Sequence, residues 1–569
     1  MLANEDTLAQ RDVWPDFLLF LAAVILLFCG LGTGGLWGSE GRWAEVVREM
    51  FFTRDFFHPT INGEPYFDKP LLTYWFIAVI TAITGMLNEW VVRIPSAVSG
   101  LVVIGAMRWI GGRLWSARTS RLAAWILLST YGFVLWGRTA AADMENLAAI
   151  ILALAWYCSR KDHPDFRSFL VFYLILSLGS LCKGLTAAVV PLMVILPDLI
   201  MKKRWRMLLK PAHVLALILG GIVFLAPFLY ASVTNPEYHS SGLSLVFKEN
   251  IIRYFKPFDH IEPFYLYLHK LPFLLLPWSI LFAAALANSV KSWKALDYNT
   301  RWLLTSVILV FMFFTLSGSR RSYYILPMLP LCALLMAVFL NYVRDGESTA
   351  LRRWGIGIQG GAVFIIVAAN LLLPVGLLIV KATTGFAAPA IAYWSGISIG
   401  LAGLILGRWA YKSAWVQRRF QVQPLVGAMI VIAMVTMGGY FCWQHNLCDR
   451  MRTERPMLLE LKNKVAGLPP DRIGIILKRG ANVCFYLEPR GHVRIIQDIQ
   501  TLEQFLEDDR PGVLIVAQQY VAGIPPNIMT DLDRMSKLVQ KRDPWQSESE
   551  TRNNLVAWIL NPPTTEVRY

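Results

Sequence analysis

The sequence predicts a mainly α, polytopic helical membrane protein of about 13 transmembrane helices, with surface juxtamembrane helices and a small C-terminal α/β extracytoplasmic domain. Three observations predict it. The 569 residues are 55% hydrophobic and only 16% charged, with a mean hydropathy of +0.46. Apolar runs of about 20 residues recur along the first three quarters, each long enough to cross a hydrocarbon core. After Trp443 the pattern changes, and short apolar stretches of strand length alternate with helical ones.

Taken in order, spans are expected at 15–36, 90–110, 120–138, 143–159, 167–183, 185–201, 212–232, 263–287, 301–318, 322–343, 354–380, 388–408 and 424–443. The first run is too long for a signal-peptide core and no small-residue cleavage site follows it, so it reads as a retained span. Segment 70–86 is apolar enough to be mistaken for another. Charge argues against that: with 70–86 on the surface, Arg108/Arg113/Arg118/Arg121, Lys202/Lys203/Arg204/Arg206, Lys291/Lys294, Arg352/Arg353 and Arg418/Arg419 share one side. That side is the cytoplasm by the positive-inside rule. The N-terminus is then inside, and the 36–89 loop, the 233–262 loop and everything after Trp443 are outside. The same loops account for a net charge of +15 without a nucleic-acid partner.

The division expected is 1–443 for the membrane part and 444–569 for an outer α/β domain. In the first outer loop (37–89), Glu40 to Phe52 sets apolar Trp43, Val46, Val47 and Met50 against Arg42, Glu45, Arg48 and Glu49, the pattern of an interfacial amphipathic helix. Asn62-Gly63 marks a tight turn, and Pro65 and Pro70 bracket an extended YFDK segment. In the tail, IGIIL, VRIIQ, GVLIVA and NNLVAWIL read as strands, TLEQFLED and IMTDLDRMSKLVQ as helices. The tail holds no Gly-rich phosphate loop and no nucleophile elbow. The seven cysteines show no paired metal spacing. A Cys448–Cys484 disulfide stays open.

Polar residues between spans carry the functional signal. Asp68-Lys69 sits between aromatics and prolines that stiffen the chain and lower the local dielectric, although an interfacial anchor with a snorkelling lysine would look similar. Asp143 and Glu145 open the fourth span, where carboxylates also suit a helix dipole. Glu249, Arg253, Lys256, Asp259 and His260 cluster in the second outer loop; a lone His is more often not a ligand. Arg320 and Arg321, in the turn SGSRRSYY, run against the positive-inside bias, and Lys183 is exceptional in an apolar hairpin. A phosphate ligand would explain all three, since Arg matches phosphate oxygens bidentately; a bound anionic lipid would too.

The motifs EGRWAEVVREM, PYFDKPLLTYW, VVRIPSAVSGL, the Asp143 segment, CKGL, HIEPFYLY and SRRSYYILPMLPL occur in the order found in the lipid A aminoarabinose transferase family. As a set they cover about the first 345 residues; the tail agrees in kind only. The chain thus resembles that family and the related bacterial protein O-mannosyltransferase-like enzymes, all polyprenyl-phosphate-sugar-dependent glycosyltransferases. The resemblance implies inverting transfer of a sugar from its carrier to an acceptor at the outer face of a bacterial inner membrane, without a nucleotide cofactor. By position, it places Asp68-Lys69 beside the carrier phosphate, Asp143 at the start of the fourth span, and Arg320, Arg321 and Tyr324 in the carrier-phosphate turn. It pairs His260 with Asp68 as ligands of a divalent metal such as Zn, Mg or Mn. Many members carry Asp-Glu where this chain has Ser39-Glu40, which leaves the general base open, with Glu40 as one candidate.

The resulting expectation is specific. Glu40, Asp68, Lys69 and Asp143 are catalytic; Lys69, Lys183, Arg320, Arg321 and Tyr324 hold the carrier phosphate. Arg42, Glu45, Glu145 and Arg253 meet the acceptor or the sugar. The partners implied are a polyprenyl-phosphate-linked donor, a lipid A or other envelope glycan or protein acceptor, and the bilayer. The rivals are a transporter or flippase of lipid-linked sugars, which would favour mid-membrane polar residues and inverted repeats, and a protein O-glycosyltransferase. The sequence names neither sugar nor acceptor.

Overall fold

The structure is a computed structural model. It describes residues 14–238, 248, 252–256, 261–345, 349–384, 388, 390–415, 421–441, 453–477, 480–540 and 554–561. Each of the thirteen apolar runs contains helix among its described residues. The first ten helices are α1 (Trp14–Phe28), α2 (Glu40–Thr53), α3 (Leu72–Thr84), α4 (Glu89–Leu114), α5 (Ala117–Leu128), α6 (Tyr131–Gly137), α7 (Asp143–Arg160), α8 (Phe166–Cys182), α9 (Thr186–Met201) and α10 (Pro211–Thr234). Helices Leu266–Leu274, Ser279–Lys291, Tyr298–Leu316, Met328–Asp345, Thr349–Thr384, Ala390–Trp415 and Gln423–Gly439 follow. Among the described residues six helices are long and apolar enough to cross a membrane, seven if one bent pair is a single span. The molecule is a multi-span membrane protein.

Local chemistry sets several boundaries. Asn88, Ser116 and Asp165 each accept the backbone N–H three residues on, capping α4, α5 and α8. The straight span expected at 120–138 is two helices, α5 and α6. The Ser129 and Thr130 hydroxyls donate to carbonyls of the preceding turn, and the Trp278 indole donates to Ser129 Oγ across the gap. The span expected at 263–287 is likewise two helices, bent by 116°. Pro277 lies in the break and cannot supply an N–H to continue the ladder. Segment 70–86 forms α3, whose 13 residues rise only about 20 Å. That is short of a hydrocarbon core and consistent with a surface helix.

The C-terminal part holds a five-stranded sheet in the order β4-β3-β5-β7-β6, with β3 Ile473–Ile476, β4 Arg494–Ile495, β5 Gly512–Ala517, β6 Ser536–Val539 and β7 Leu555–Leu560. A small hairpin in the first loop supplies β1 (Thr60–Ile61) and β2 (Glu64–Pro65). β3 runs parallel to β4 and β5, while β7 is antiparallel to β5 and β6. The inner strands β5 and β7 are buried throughout, as their unbroken apolar runs require. IMTDLDRMSKLVQ, read as one helix, is a helix only to Leu532; its second half is edge strand β6, where the SKLV alternation pairs with β7.

The sheet and the first outer loop share one core. Trp43, Val47, Phe67 and Tyr74 of the loop pack in the same cluster as Leu458, Ile475, Cys484 and Ile515 of the tail. For that reason α2 is not the half-exposed interfacial helix that its pattern suggests: Glu40, Glu45 and Glu49 are buried as well as its apolar face. At the hairpin turn Asn62 and Gly63 both have positive φ, which Asn and Gly tolerate. Asn62 then pairs with Val493 twice, donating from Nδ2 to the carbonyl (2.9 Å) and accepting its N–H on Oδ1 (2.7 Å). A Cβ on Gly63 would meet the His492 ring at 2.7 Å. The Cys448–Cys484 pairing lies outside the described residues, because Cys448 is not among them.

Replacing Asn62 by Ala removes both bonds, worth roughly 1–3 kcal/mol of local stability. Hydrogen exchange should rise in 489–495 and in the hairpin while the membrane helices stay protected.

Candidate functional site

The site is built by the start of α7, the end of α8, the start of α9, α10 and the helix Tyr298–Leu316, with residues 67–70 of the first loop. At its centre lies a cavity of about 180 Å³ lined by Asp68, Lys69, Asp143, Asn146, Lys183 and Tyr324, with an apolar wall that includes Phe67, Phe228 and Phe313. Asp143 begins α7 directly after Ala142, a buried residue held at φ 61°. A non-glycine residue in that region costs about 1–2 kcal/mol, and such strain persists only where the surroundings over-determine it. Lys183 ends α8. Its Nζ donates to Asp143 Oδ1 and lies over the Tyr323 and Tyr324 rings at 5.0 and 5.1 Å. Among the described atoms, Asp143 Oδ2 is buried without a hydrogen-bond partner. Asn146, one turn along α7, donates to Thr186 at the start of α9.

Asp68 and Lys69 form the opposite wall. Asp68 Oδ2 accepts from Tyr66 Oη (2.9 Å) and from Arg42 Nη1 (3.0 Å), and Lys69 Nζ lies 3.4 Å from Oδ1. Burial alone would raise the Asp68 carboxyl; Lys69 and Arg42, with the Tyr66 hydrogen bond, outweigh it and hold the group below the usual carboxylate range. Asp68 is therefore ionised at neutral pH, and Arg42 meets that acid.

Other expected residues are placed elsewhere. Glu40 does not line the cavity: it is wholly buried and bound by Arg93, Nε to Oε1 at 2.9 Å and Nη2 to Oε2 at 2.7 Å, while the Ala140 N–H donates to Oε1. The physical reason is desolvation, since a carboxylate at 0% exposure needs a charged partner. Glu45 is gripped by both arms of Arg48, and burial pushes it up to about 7 against that pull. Glu145 accepts from Ser96 within the bundle. Arg320 donates to the carbonyls of Thr315 and Glu262, holding its own turn in shape. Arg321 bears electrostatically on Asp143. The Arg253 backbone lies in a short helix, Arg253–Phe255.

His260 lies outside the described residues. Among those described, no three His, Cys, Asp or Glu residues converge on a point. Asp68 is already compensated by two cations, Lys69 and Arg42.

Sequence reasoning missed Arg93, Tyr66, Tyr323, Asn146 and Thr186. The first lies in the quoted motif VVRIPS, where a charged residue early in an apolar helix was the available signal. The others gave none, being ordinary polar or aromatic residues until the fold brings them together.

The described residues thus form a helical membrane bundle with a cationic, aromatic-lined cavity at the ends of its helices. Residues 68–230 match the family described as dolichyl-phosphate-mannose-protein mannosyltransferase. The chain is 30% identical over 378 residues to the undecaprenyl phosphate-alpha-4-amino-4-deoxy-L-arabinose arabinosyl transferase of Pseudomonas aeruginosa, covering 63% of this chain and 66% of that one. It is 31% identical over 358 residues to a Pseudomonas fluorescens protein of the same name, covering 60% and 63%. The crystal structure of ArnT from Cupriavidus metallidurans bound to undecaprenyl phosphate superposes with a TM-score of 0.71 at 20% identity, over 96% of this chain and 98% of that one, and shows the same fold. The chain is thus similar to these arabinosyl transferases, the resemblance its motifs suggested, and the alignments span just under two thirds of those two relatives' length.

Arg93→Ala would leave Glu40 buried and unpaired, at a cost of about 3–5 kcal/mol. Its melting temperature in detergent should fall well below that of Glu40→Gln, which keeps a neutral hydrogen-bonding group.

Proposed function

We propose that the protein is an inverting glycosyltransferase that moves a sugar from a polyprenyl-phosphate carrier to a lipid A-type or other envelope acceptor. The observation that carries this reading is the convergence of Lys69 and Lys183 on one cavity at the bundle end, against an apolar wall suited to a lipid chain. The relatives' names make 4-amino-4-deoxy-L-arabinose the first donor to test. In this reading the N-terminus is cytoplasmic and the C-terminal sheet periplasmic, and the site faces the periplasm; the distribution of basic loops supports it.

The chemistry follows from the residues. Lys69 and Lys183 hold the carrier phosphate, and Tyr324 packs beside Lys183 at the cavity wall. An acceptor oxygen attacks the anomeric carbon from the face opposite the phosphate, forming the new glycosidic bond as the bond to the carrier oxygen breaks. Polyprenyl phosphate leaves with one more negative charge. Two lysines at the cavity wall stabilise that charge as it develops, which is the main catalytic term. Asp143 orients Lys183 through Oδ1 and has Oδ2 available to an acceptor hydroxyl; a phosphate acceptor, already largely ionised at neutral pH, needs no base. Arg42 and Tyr66 keep Asp68 ionised and in place, and Asp68 in turn positions Lys69. Glu40, enclosed by Arg93, supports the loop and is not the base.

Purified protein given a panel of radiolabelled polyprenyl-phosphate sugars and a lipid A-containing acceptor extract should transfer one of them. Lys183→Ala and Asp143→Asn should each lose at least about a hundred-fold of that rate. Tight binding of polyprenyl phosphate without transfer from any donor, retained by both variants, would instead indicate a transporter.

The pH dependence has a definite sign. A carboxyl with a lowered pKa contributes its ionised form above its unfolded value and loses it only as pH falls through the folded one, so Asp68 does not titrate between pH 5 and 8. Affinity for polyprenyl phosphate should therefore rise over that range with a midpoint near 6, the second ionisation of the ligand itself. Asp68→Asn should weaken binding without moving that midpoint in a calorimetric titration.

A further inference from the structure

At the end of α7, α8 and α9 opposite the charged cavity lies a second, larger one. It encloses about 280 Å³ and is almost wholly apolar, walled by Trp156, Phe172, Leu192, Met193, Leu196 and Leu199. One edge is shut by a hydrogen bond between Tyr173 Oη and His213 Nε2 (2.7 Å). Leu192 and Leu196 are each close to half exposed, so the slot opens sideways where hydrocarbon would lie. A space with so few polar groups cannot satisfy a polar ligand, and an aliphatic chain is the occupant that suits it.

Its mouth is basic. Arg160 and Lys161 line it, and Lys202, Lys203, Arg204 and Arg206 follow at the end of α9. The acids at this end are largely engaged. Asp198 is wholly buried, accepts from the Tyr157 and Tyr298 hydroxyls and pairs with Lys161 and Lys202 at 3.7 Å each. Asp162 pairs with Arg204, and Asp165 caps α8 and bears electrostatically on Arg160, so the excess positive charge at this end comes from Arg160, Lys203 and Arg206. Arg160 is exposed and lies over the Trp156 ring at 5.2 Å, a charged head beside an apolar slot. Basic pockets between membrane helices suit anionic headgroups.

We propose that this slot is a structural lipid site: it takes one acyl chain of an anionic glycerophospholipid from the leaflet opposite the charged cavity, with the headgroup phosphate at Arg160. The assignment stands on the slot and its rim and is independent of the glycosyl-transfer reading. It has a consequence for that reading, because α7 and α8 carry Asp143 and Lys183 at their other ends. A lipid wedged between the helices here would brace the same pair of elements.

The test is native mass spectrometry of the full-length protein in a neutral detergent, titrated with phosphatidylglycerol and with phosphatidylcholine of matched chains. Phosphatidylglycerol should be retained at least about five-fold more strongly. Arg160→Gln should abolish that preference, and Met193→Trp, which fills the slot, should abolish retention of both lipids. Should Met193→Trp fail to fold, Leu196→Phe makes the same test more gently. Equal retention of the two lipids by the parent protein, or parent-like retention by a folded slot-filling variant, would overturn the proposal. Displacement of phosphatidylglycerol by polyprenyl phosphate would overturn it too, and would give the slot to the carrier's own chain, since Val189 lines both cavities.

Discussion

The buried pair of Arg93 and Glu40 is the interaction on which the loop-bearing end of the molecule depends. Arg93 lies in the first turns of α4 at 3% exposure, and besides Glu40 it donates to the carbonyls of Leu31, Gly34 and Gly35. Glu40 in turn accepts the N–H groups of Trp37 and Ala140. One ion pair thus joins the end of α1, the start of α2, α4 and the approach to α7. Charges removed from water to this degree are stable only with every lone pair and proton engaged. The geometry is accordingly restrictive, and a loop long enough to wander is fixed at its root.

Arginine and lysine divide the work at this face. Arg93, Arg138 and Arg320 each fork onto backbone carbonyls at helix ends or turns, Arg138 onto Leu26, Leu27 and Cys29 at the close of α1. Several donors in one plane suit that task, because helix ends leave carbonyls in need of partners. Lys69 and Lys183, compact charges on flexible stems, are the ones that line the cavity. The basic residues at this face therefore serve two roles, and of those named here only the lysines point to a ligand.

The tail is a structural partner of the loop as well as a separate sheet. Arg48 donates to the Pro489 carbonyl, Asn62 brackets Val493, and the Tyr486 hydroxyl links the Leu36 N–H to Glu89. The loop buries its charged helix face against the tail, and the YFDK segment leaves that shared core to enter the cavity. Strain at Ala142 belongs to the same logic: packing from several elements holds a residue where its own backbone preference would not put it.

The sequence by itself determined the positions of the helices, the outer loop with its tight turn and YFDK segment, and most strands of the tail. Each follows from runs and periods within about twenty neighbouring residues. It also placed Asp68, Lys69, Asp143 and Lys183 near one face, since loop order fixes which helix ends lie together. Only the tertiary structure decided which charges meet the cavity and which serve the scaffold. Glu40 finds its partner 53 residues away, Asp143 finds Lys183 at a separation of 40, and Asn62 finds Val493 at 431. The role of a buried charge is set by its partner, and a partner that distant leaves no periodic trace in the chain.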